Sequence, residues 1–390
     1  MRILYVADGR SPTALSWMRH FIEAPDYEVH LASTHACNPV EGVASQHFVP
    51  VAFSRAAGAD SGLGSGLRSV FGAQARAWLR DWLGPLTVPR ASRKLSELYA
   101  DIQPDLVHAL RIPYEGMLAA RTNPSMPLVV SVWGNDFTLH ARANPLMAGA
   151  TYRTLKRTCA LHTDTQRDAD LAHRWGFAAD APTLVAPGNG GIRKQIFYPL
   201  PHATDVDATE ARLAVINPRG IRAYVRNDTF FQAIPLVLRK RPEVRFFCPG
   251  MEGQPEAEEW VDKLKIQDYV ALMPRLGQRA LADAYHSAQV MVSPSTHDGT
   301  PNTLLEAMAC GCFPVLGDIE SVREWVSDGK NGLLVDPRDP QALAEAIIQA
   351  LKDHELRATA AEINQKLIAE RAEHQQVMQR ARDFYQQVLN

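Results

Sequence analysis

The segment from Ser295 to Asp318 places one carboxylate on each side of a turn. It reads STHDGTPNTLLEAMACGCFPVLGD, with Asp298 in a polar turn after an apolar run and Glu306 inside an otherwise apolar helix. Pro301 suits the first turn of a helix, whose free N–H groups and positive dipole end favour an anion such as phosphate. Glu306 can accept hydrogen bonds from two hydroxyl groups, as on a ribose. The pattern therefore suits a nucleotide-sugar site, and it suits equally a capping aspartate followed by a solvent-facing glutamate.

Three arginines follow the predicted strand Leu213–Asn217 within a short stretch. They are Arg219, Arg222 and Arg226. A guanidinium group can hold a phosphate through two parallel hydrogen bonds, so this cluster could neutralise a diphosphate. The alternative is that these are ordinary solvated charges on a loop.

Strands and helices alternate along the whole chain, and they must position these residues. Apolar runs predict strands at Arg2–Ala7, Tyr27–Ala32, Asp105–Leu110, Leu128–Val132, Ala160–Thr163, Thr183–Ala186, Leu213–Asn217, Val244–Cys248, Tyr269–Leu272, Val290–Ser293 and Phe313–Leu316. Helical periodicity predicts helices at Thr13–Glu23, Asp228–Arg239 and Pro340–Leu351. Continuous apolar strands separated by helices are typical of parallel sheets covered on both faces. With 390 residues, we expect two doubly wound α/β domains joined near a Pro-containing linker at 198–207.

Composition narrows the classes of function. A formal net charge of −2 and the lack of a basic tail argue against nucleic acid as a partner. The five cysteines are few and odd in number, which indicates a reducing compartment. Cys310-Gly-Cys312 is either half of a metal site or a pair of buried small side chains. Because no signal peptide and no run of eighteen apolar residues are evident, we expect a cytoplasmic location.

The stretch DGTPNTLLEAMACG, from Asp298 to Gly311, resembles the signature of the retaining glycosyltransferases of family four. The segments VREWVSDGKNGLLVD at 322–336 and NGGI at 189–192 are also similar to this family. The resemblance implies the GT-B fold, with two Rossmann-like domains facing a cleft and a C-terminal helical segment. We expect an acceptor-binding domain at 1–198, a donor-binding domain at 208–365, and a helix at 366–390 that packs back on the first domain.

The resemblance also implies roles for individual residues of the second domain. Glu306 would bind the ribose, Asp298 the sugar hydroxyls, and Arg219 the leaving diphosphate. The family's second basic residue is usually Lys, and either Arg222 or Arg226 would replace it. The other expected donor-binding residues are Gly299, Thr300, Pro301, Asn302, Thr303, Leu304 and, in a base-binding loop, Arg275 and Leu276.

The first domain departs more from the family. Trp133 stands where many relatives have a histidine, so Asp136 becomes the polar candidate near the reacting carbon or the acceptor. The alternative is that Trp133 belongs to the core and Asp136 caps the next helix. The expected acceptor-side residues are Gly9, Arg10, Ser11, Trp133 and Asn135. Arg10 could meet an acidic acceptor or be an ordinary surface charge.

The expected function is transfer of a sugar, with retention, from a nucleoside diphosphate sugar to an unidentified acceptor: a lipid, a glycan or a small molecule. UDP-sugar is the favoured donor, and no metal or other cofactor is expected. A sugar-nucleotide epimerase or hydrolase, or a binding protein without transfer, is the alternative. An NAD-dependent oxidoreductase is a distant one, because residues 8–13, DGRSPT, do not match Gly-x-Gly-x-x-Gly.

A basic amphipathic stretch lies at 67–83, with aromatic residues and arginines at helical spacing. Its members are Phe71, Trp78, Trp82, Arg68, Arg76 and Arg80. Such a helix either lies on a membrane surface or packs its aromatic side chains on the first domain. The first alternative would place the protein peripherally at the inner membrane face.

Overall fold

The computed structural model of the chain describes residues 1–52, 54, 73–122, 126–200 and 213–390. These form two compact units: unit 1 comprises Met1–Gly190 and Val377–Asn390, and unit 2 comprises Gly191–Gln376. The predicted linker at 198–207 lies mostly outside the described residues. The division into acceptor-binding and donor-binding domains stays a prediction.

The units differ from the predicted ranges 1–198, 208–365 and 366–390 at both connections. Residues after Gly190 belong to unit 2 because they pair with the segment before Val377. The Ile192 amide donates to the Ala372 carbonyl at 2.7 Å, and the His374 amide donates to the Ile192 carbonyl at 3.0 Å. Phe197 is also buried in the core of unit 2. Of the predicted tail, only the part from Val377 onward joins unit 1.

Unit 1 is built on a parallel seven-stranded sheet. Its strands are β1 Arg2–Ala7, β2 Glu28–Ser33, β3 Ser45–Phe48, β4 Leu106–Ala109, β5 Leu128–Val132, β6 Ala160–Thr163 and β7 Thr183–Val185, in the order β3-β2-β1-β4-β5-β6-β7. Its helices are α1 Pro12–Ile22, α2 Ala73–Ile102, α3 Met117–Thr122, α4 Pro145–Leu155 and α5 Gln166–Arg174, with π-helical turns at Ile112–Gly116 and Asp136–His140.

Unit 2 holds a parallel six-stranded sheet. Its strands are β8 Ala214–Ile216, β9 Arg245–Pro249, β10 Val270–Met273, β11 Val290–Ser293, β12 Phe313–Gly317 and β13 Leu333–Val335, in the order β10-β9-β8-β11-β12-β13. Its helices are α6 Asn227–Leu238, α7 Pro255–Leu264, α8 Gln278–His286, α9 Asn302–Ala309, α10 Glu320–Arg323, α11 Pro340–Lys352 and α12 His354–Leu367. A π-helical turn at Ile368–Ala372 leads to α13, His374–Leu389. From Val377 onward, α13 belongs to unit 1.

Both faces of each sheet are buried, as continuous apolar strands require. In β1, Ile3 and Tyr5 belong to one core cluster while Leu4 and Val6 belong to another. The two-residue period of a strand sends neighbouring side chains to opposite faces, so these clusters cover the two sides of the sheet. All eleven predicted strands are present, and β3 and β13 are additional.

Each sheet has a point where the chain's winding direction reverses. In unit 1 it lies between β1 and β4, and in unit 2 between β8 and β11. In open α/β sheets, ligands bind outside the carboxyl ends of the strands at this switch point. The loops that follow these four strands are therefore the places to examine for function.

A buried chain of hydrogen bonds crosses the core of unit 1. His162 Nε2 lies 3.1 Å from the Ala186 carbonyl, which only accepts, so Nε2 carries the proton. His162 Nδ1 must then accept from the Ser131 hydroxyl at 2.8 Å, and Ser131 Oγ accepts from His108 Nε2 at 2.9 Å. Both histidines are neutral because burial lowers the pKa of each, that of His162 to about 4.

The same chain continues to α13. With its proton on Nε2, His108 accepts at Nδ1 from the Tyr385 hydroxyl, 2.6 Å away. The Tyr385 oxygen then accepts from Trp17 Nε1 at 3.0 Å and from the Tyr5 hydroxyl at 3.2 Å. Each hydrogen bond in this network thus has a defined donor and a defined acceptor. Tyr385 is the residue of the network that connects α13 to the sheet.

Tyr385→Phe is expected to lower the free energy of unfolding by about 3 kcal/mol, because it leaves three buried partners without a hydrogen bond. Denaturant unfolding followed by tryptophan fluorescence measures this effect. Tyr198→Phe, at an exposed tyrosine, is the matched control and should leave stability unchanged. Equal midpoints for the two variants would show that the network contributes nothing to stability.

Within the described residues, no helix is long and apolar enough to cross a membrane.

Candidate functional site

The loops after β8 and β11 are joined by backbone hydrogen bonds. The Arg226 amide donates to the Pro294 carbonyl at 3.1 Å, and the Thr296 amide donates to the Tyr224 carbonyl at 2.9 Å. These bonds hold the arginine-rich loop after β8 against the loop that carries Asp298. The two sequence motifs, separated by about eighty positions, therefore meet at the switch point of unit 2.

Arg219 and Asp298 form an ion pair at this point. A guanidinium nitrogen of Arg219 contacts Asp298 Oδ2, and Nη1 lies 3.4 Å from Thr303 Oγ1. The Arg219 side chain is only 8% exposed, and its Nε is buried without a hydrogen-bond partner among the described residues. Leaving a buried charged donor unpaired is costly, so this nitrogen is suited to an incoming anion.

The turn before α9 is fixed by its own hydrogen bonds. Asp298 Oδ1 accepts from the Gly299 amide at 3.1 Å, and the Ser321 hydroxyl donates to the Asp298 carbonyl at 2.8 Å. Trp325 Nε1 donates to Thr300 Oγ1 at 2.9 Å. Pro301 is the N-cap and makes no side-chain capping bond. The N–H groups in the first turn of α9 therefore point out of the N-terminus as hydrogen-bond donors. This is the arrangement in which a helix binds an anion.

Glu306 is buried, just over one turn into α9. Its Oε2 lies 3.4 Å from the hydroxyl of Tyr285, which also lies 3.2 Å from the Thr303 carbonyl. Burial raises the pKa of Glu306 to about 8, and the Tyr285 hydroxyl and the Arg219 charge only partly oppose this. The carboxyl group is thus mostly protonated at neutral pH. It lies in the same turn as Thr303, and a ligand with donor hydroxyls would favour its ionised form.

The remaining two arginines of the loop differ in their partners. Arg226 is held by Asp228 through two hydrogen bonds of 2.8 and 2.6 Å, which raise its pKa. Arg222 is exposed; it donates to the Arg219 carbonyl and to the Tyr224 hydroxyl, both at 3.0 Å. Arg226 is therefore neutralised locally, whereas Arg222 lies directly beside Arg219 and contacts no carboxylate among the described residues.

The predicted base-binding loop lies at the carboxyl end of β10, the edge strand. Arg275 is exposed, and Leu276 packs against the core cluster that contains Tyr285. Two strands, β9 and β8, separate β10 from β11 in the sheet. The structure thus brings neither residue into hydrogen-bonding contact with Arg219 or Asp298, and their role in binding a base stays a prediction.

In unit 1, Asp136 is fully buried and already has three partners. It accepts from Arg111 Nε at 2.9 Å, from the Ile112 amide at 3.1 Å and from the Trp133 amide at 3.2 Å. Arg111 has φ +144°, a region that non-glycine residues rarely adopt, and Asp136 holds it there. This geometry accounts for a structural role, and a catalytic role for Asp136 stays a prediction.

Trp133 and Asn135 follow β5 and each keep an unused polar atom. Trp133 packs against a core cluster, yet its Nε1 is buried without a hydrogen-bond partner in the described part of the chain. Asn135 Oδ1 is also buried and has no hydrogen-bond partner among the described residues. A buried donor and a buried acceptor without partners at the carboxyl end of a strand are consistent with the predicted acceptor side.

The loop after β1 is more constrained than the sequence indicated. A Cβ on Gly9 would lie 2.4 Å from Cys37 Sγ, so glycine is required there for packing. Arg10 is paired with Asp8 through bonds of 3.0 and 2.9 Å, and Ser11 caps α1 by accepting from the Ala14 amide at 3.3 Å. All three residues have local structural partners, and their contact with an acceptor stays a prediction.

Glu115 is a candidate that the sequence analysis missed. It follows β4 at the switch point, and Thr34, at the end of β2, donates to its Oε1 at 2.6 Å. Its Oε2 is buried without a partner among the described residues, and burial raises its pKa. Thr34 also lies 3.2 Å from His35 Nδ1, which is 3.5 Å from Asp8 Oδ2. Applying the switch-point rule to the loop after β4 would have found this carboxyl group.

Glu115→Gln is expected to stabilise unit 1 relative to the wild type as the pH rises. A carboxyl group whose folded-state pKa is raised stabilises the fold fully below its unfolded pKa, and this contribution is lost as pH rises through the folded pKa. The difference is about 1.4 kcal/mol for each unit of pKa shift. Denaturant unfolding at about pH 5 and about pH 8 measures it. Glu97→Gln, at an exposed glutamate, is the control, and stability differences independent of pH would contradict the prediction.

Cys310 and Cys312 are both buried, and Cys312 Sγ donates to the Tyr285 carbonyl at 3.0 Å. This matches the interpretation of small side chains in a core. Within the described ranges, no group of three or more His, Cys, Asp or Glu residues could hold a metal ion. The sequence contains Asp-x-Asp at two places, a spacing that binds metal ions in some other glycosyltransferases: Asp168-Ala-Asp170 lies in α5, and Asp205-Val-Asp207 lies outside the described residues.

Two solved structures share this fold over the whole chain. HepE of Anabaena, crystallised with UDP and glucose, has a TM-score of 0.70 at 15% identity and covers 99% of this chain and 100% of its own. Sucrose-phosphate synthase of Thermosynechococcus elongatus has a TM-score of 0.73 at 16% identity, with coverage of 100% and 99%. The two parallel α/β sheets with their C-terminal helices define a protein of the GT-B glycosyltransferase fold, as predicted.

Sequence comparison adds the family. Residues 221–353 match Glycosyl transferases group 1, and residues 71–165 match Glycosyl transferase 4-like. These matches, together with the GT-B neighbours, confirm the resemblance of the Asp298–Gly311 signature to the family-four glycosyltransferases.

Two curated relatives carry the name D-inositol 3-phosphate glycosyltransferase. That of Xylanimonas cellulosilytica is 34% identical over 218 residues, which are 52% of this chain and 51% of the relative. That of Thermobispora bispora is 29% identical over 189 residues, 44% of this chain and 43% of the relative. The chain thus matches about half the length of these relatives. The matches favour glycosyl transfer over the oxidoreductase alternative.

Proposed function

We propose that this protein is a glycosyltransferase that moves a sugar from a nucleoside diphosphate sugar to a hydroxyl group of an acceptor. The observation that carries the proposal is the constellation at the switch point of unit 2. Arg219, with a buried unpaired Nε, lies against the turn that holds Asp298 and leads into the helix of Glu306. A guanidinium donor, free helix amides and a buried carboxyl group suit a diphosphate, a sugar and a ribose diol.

The chemistry follows from where charge develops. As the bond between the anomeric carbon and the diphosphate oxygen breaks, the acceptor oxygen bonds to that carbon and the acceptor proton passes to the departing diphosphate, on whose oxygens negative charge grows. Arg219 and the first amides of α9 stabilise that charge, and such preorganised donors usually supply the largest part of catalysis. Arg222 is our choice for the second cation, because Asp228 already neutralises Arg226. Glu306 accepts from the ribose hydroxyls once it is ionised.

UDP is the favoured nucleotide, because the Anabaena neighbour was crystallised with UDP and glucose. Retention of configuration and independence of metal follow from the family resemblance and are part of the proposal. On the acceptor side, the unused Oε2 of Glu115 and Nε1 of Trp133 are the groups that we assign to acceptor hydroxyls. The acceptor itself is unidentified, and the five free cysteines fit a cytoplasmic location.

Thermal stabilisation by UDP, GDP, ADP, dTDP and NAD, with and without magnesium, tests the proposal. A ligand that binds only the native state raises the melting temperature. We expect a shift with UDP that does not depend on magnesium and that is reduced in Glu306→Gln. The matched control is Glu370→Gln, at an exposed glutamate, which should shift like the wild type. A shift with NAD alone would overturn the proposal.

Configuration is tested separately, with the donor that the binding assay selects. The anomeric proton of the first product in the NMR spectrum reports α or β linkage. Retention predicts the configuration of the donor, and the opposite linkage would contradict this part of the proposal alone.

A further inference from the structure

Three helices of unit 1 enclose a groove of about 280 Å³ that the proposed reaction does not use. α2, α3 and α4 supply its lining. Its floor is apolar, with Val88, Met117 and Ala150 buried, and its rim carries Leu86 and Leu146, which are 63% and 40% exposed. Leu86 and Leu146 border one groove, and apolar side chains that cluster in this way mark an interaction site more readily than scattered ones do.

The groove owes its shape to prolines in α2. Pro85 has no N–H group, so the carbonyl of Asp81, four residues earlier, loses its helical partner. Asn144 Nδ2 donates to this carbonyl at 3.0 Å, while Asn144 Oδ1 accepts from the Leu146 and Met147 amides, each at 3.0 Å. One side chain thus caps α4 and fixes it to α2, which sets the two walls of the groove.

Three arginines line the same groove. They are Arg121, at the end of α3, and Arg153 and Arg157, on and just after α4. Arg157 Nη1 donates to the Ala120 carbonyl at 2.8 Å, which fixes that side chain against the end of α3. In the described part of the chain, the lining residues include no aspartate or glutamate. An apolar groove bordered by three cations is complementary to an anion that carries an apolar body.

The apolar rim continues along α2. Trp82 and Leu83 precede Leu86 by four and three positions, which places them on the same side of the helix, and they are 37% and 39% exposed. The exposed surface is therefore larger than the groove, and extends it in the direction of the N-terminal part of α2.

We infer that this surface docks on an anionic membrane. Trp82, Leu83, Leu86 and Leu146 enter the boundary between headgroups and acyl chains, as the apolar face of an interfacial helix does. Arg121 and Arg153 bind the phosphates of anionic lipids, because a basic residue near a bilayer is attracted to its negatively charged surface. The surface shares only Trp82 and Leu83 with the predicted segment 67–83, whose Phe71, Trp78, Arg68 and Arg76 lie outside the described side chains.

Co-sedimentation of the full chain with vesicles tests the inference. One set contains phosphatidylcholine alone, and the other contains equal amounts of phosphatidylcholine and phosphatidylglycerol. We expect binding to the anionic vesicles only, and weaker binding as salt is added. Arg121→Gln and Arg153→Gln should each lower the partition coefficient about 5-fold. Leu86→Ser should lower it about 10-fold, because less apolar area enters the lipid.

Arg174→Gln is the matched control, at an exposed arginine of α5 that does not line the groove. It should bind vesicles like the wild type, and all variants should keep the melting temperature of the wild type. Absence of binding to anionic vesicles, or equal loss in Arg174→Gln and Arg153→Gln, would overturn the inference. Self-association that light scattering detects and Leu86→Ser abolishes, without vesicle binding, would identify a second copy of the chain as the occupant instead.

Because this inference concerns a surface that is separate from the switch-point residues, it does not depend on the proposed transfer. Thermal stabilisation by UDP should be equal in Arg153→Gln and the wild type. The two hypotheses can therefore fail independently.

Discussion

Replacing Glu306 by alanine is expected to lower kcat/KM for the sugar donor about 10²- to 10³-fold. In the proposed complex the ionised carboxylate accepts two hydrogen bonds from ribose hydroxyls, and bonds to a charged group contribute about 1.5–3 kcal/mol each. Initial rates of UDP release from the donor that the binding assay selects give the ratio. Near-wild-type turnover in Glu306→Ala would remove Glu306 from the donor site.

The same residue should give UDP binding a defined pH dependence. The carboxyl group has a pKa of about 8 in the ligand-free protein, so below that pH it must release a proton before it can accept both hydroxyls. Affinity should therefore rise about tenfold for each pH unit up to about pH 8 and then level off. Calorimetric titration with UDP measures this. Glu306→Gln, which has no proton to release, should bind weakly and show a flat profile over the same range.

Stability should change in the opposite direction. Because the folded-state pKa of Glu306 is raised, its contribution is fully present below the unfolded pKa and is lost as pH rises through about 8. The ligand-free wild type should thus lose stability relative to Glu306→Gln on going from acid to neutral and alkaline pH. Opposite trends for ligand affinity and for stability distinguish a buried ligand-binding carboxyl group from an exposed one.

Arg219→Ala is expected to lower kcat about 10²- to 10³-fold, the effect of removing one preorganised donor from a developing negative charge. It should also destabilise unit 2 by about 3 kcal/mol, because the largely buried Asp298 carboxylate would lose the Arg219 guanidinium group. Steady-state rates and denaturant unfolding measure the two effects. Wild-type kcat in a folded Arg219→Ala protein would contradict the assignment.

A second variant separates catalysis from folding. In Arg219→Ala/Asp298→Asn the carboxylate that lost the guanidinium group is itself replaced, so stability should recover. Turnover should fall below that of Asp298→Asn alone, which shows how much of the loss belongs to the proposed sugar contact of Asp298. Arg226→Ala is the matched control in the same loop, because the guanidinium group of Arg226 is bound by Asp228. We expect it to have a smaller effect on kcat than Arg219→Ala. Recovery of turnover together with stability would mean that Arg219 acts only through the fold.

The proximity of the proposed donor-binding residues could be predicted because its signal is local in sequence. The residues from Asp298 to Glu306 span one turn and the start of one helix, so spacing alone indicates their proximity. The meeting of Arg219 with Asp298 was predictable only from the family resemblance and the rule on strand ends. The choice between Arg222 and Arg226 needed coordinates, because Asp228 is a partner that the spacing of the arginines does not show.

The missed features are those without a periodic or local signal. β3, Ser45–Phe48, is a half-buried edge strand with three polar residues, and β13, Leu333–Val335, has three residues. Glu115 lies in a π-helical turn, where neither the helical nor the strand period applies. The environment of Asp136 depends on Arg111, which is distant in sequence. Tertiary contact, and not propensity, determines each of these features.

The return of the chain to unit 1 at Val377 has a consequence for synthesis. Phe384 and Tyr385 are buried with Trp17 and Phe21 in one cluster, so this cluster is incomplete until α13 has left the ribosome. Unit 2 is contiguous from Gly191 to Gln376 and can complete its core earlier. During translation the half that is made first should therefore finish folding last. Its exposed α1 face is where we expect chaperones to bind the nascent chain.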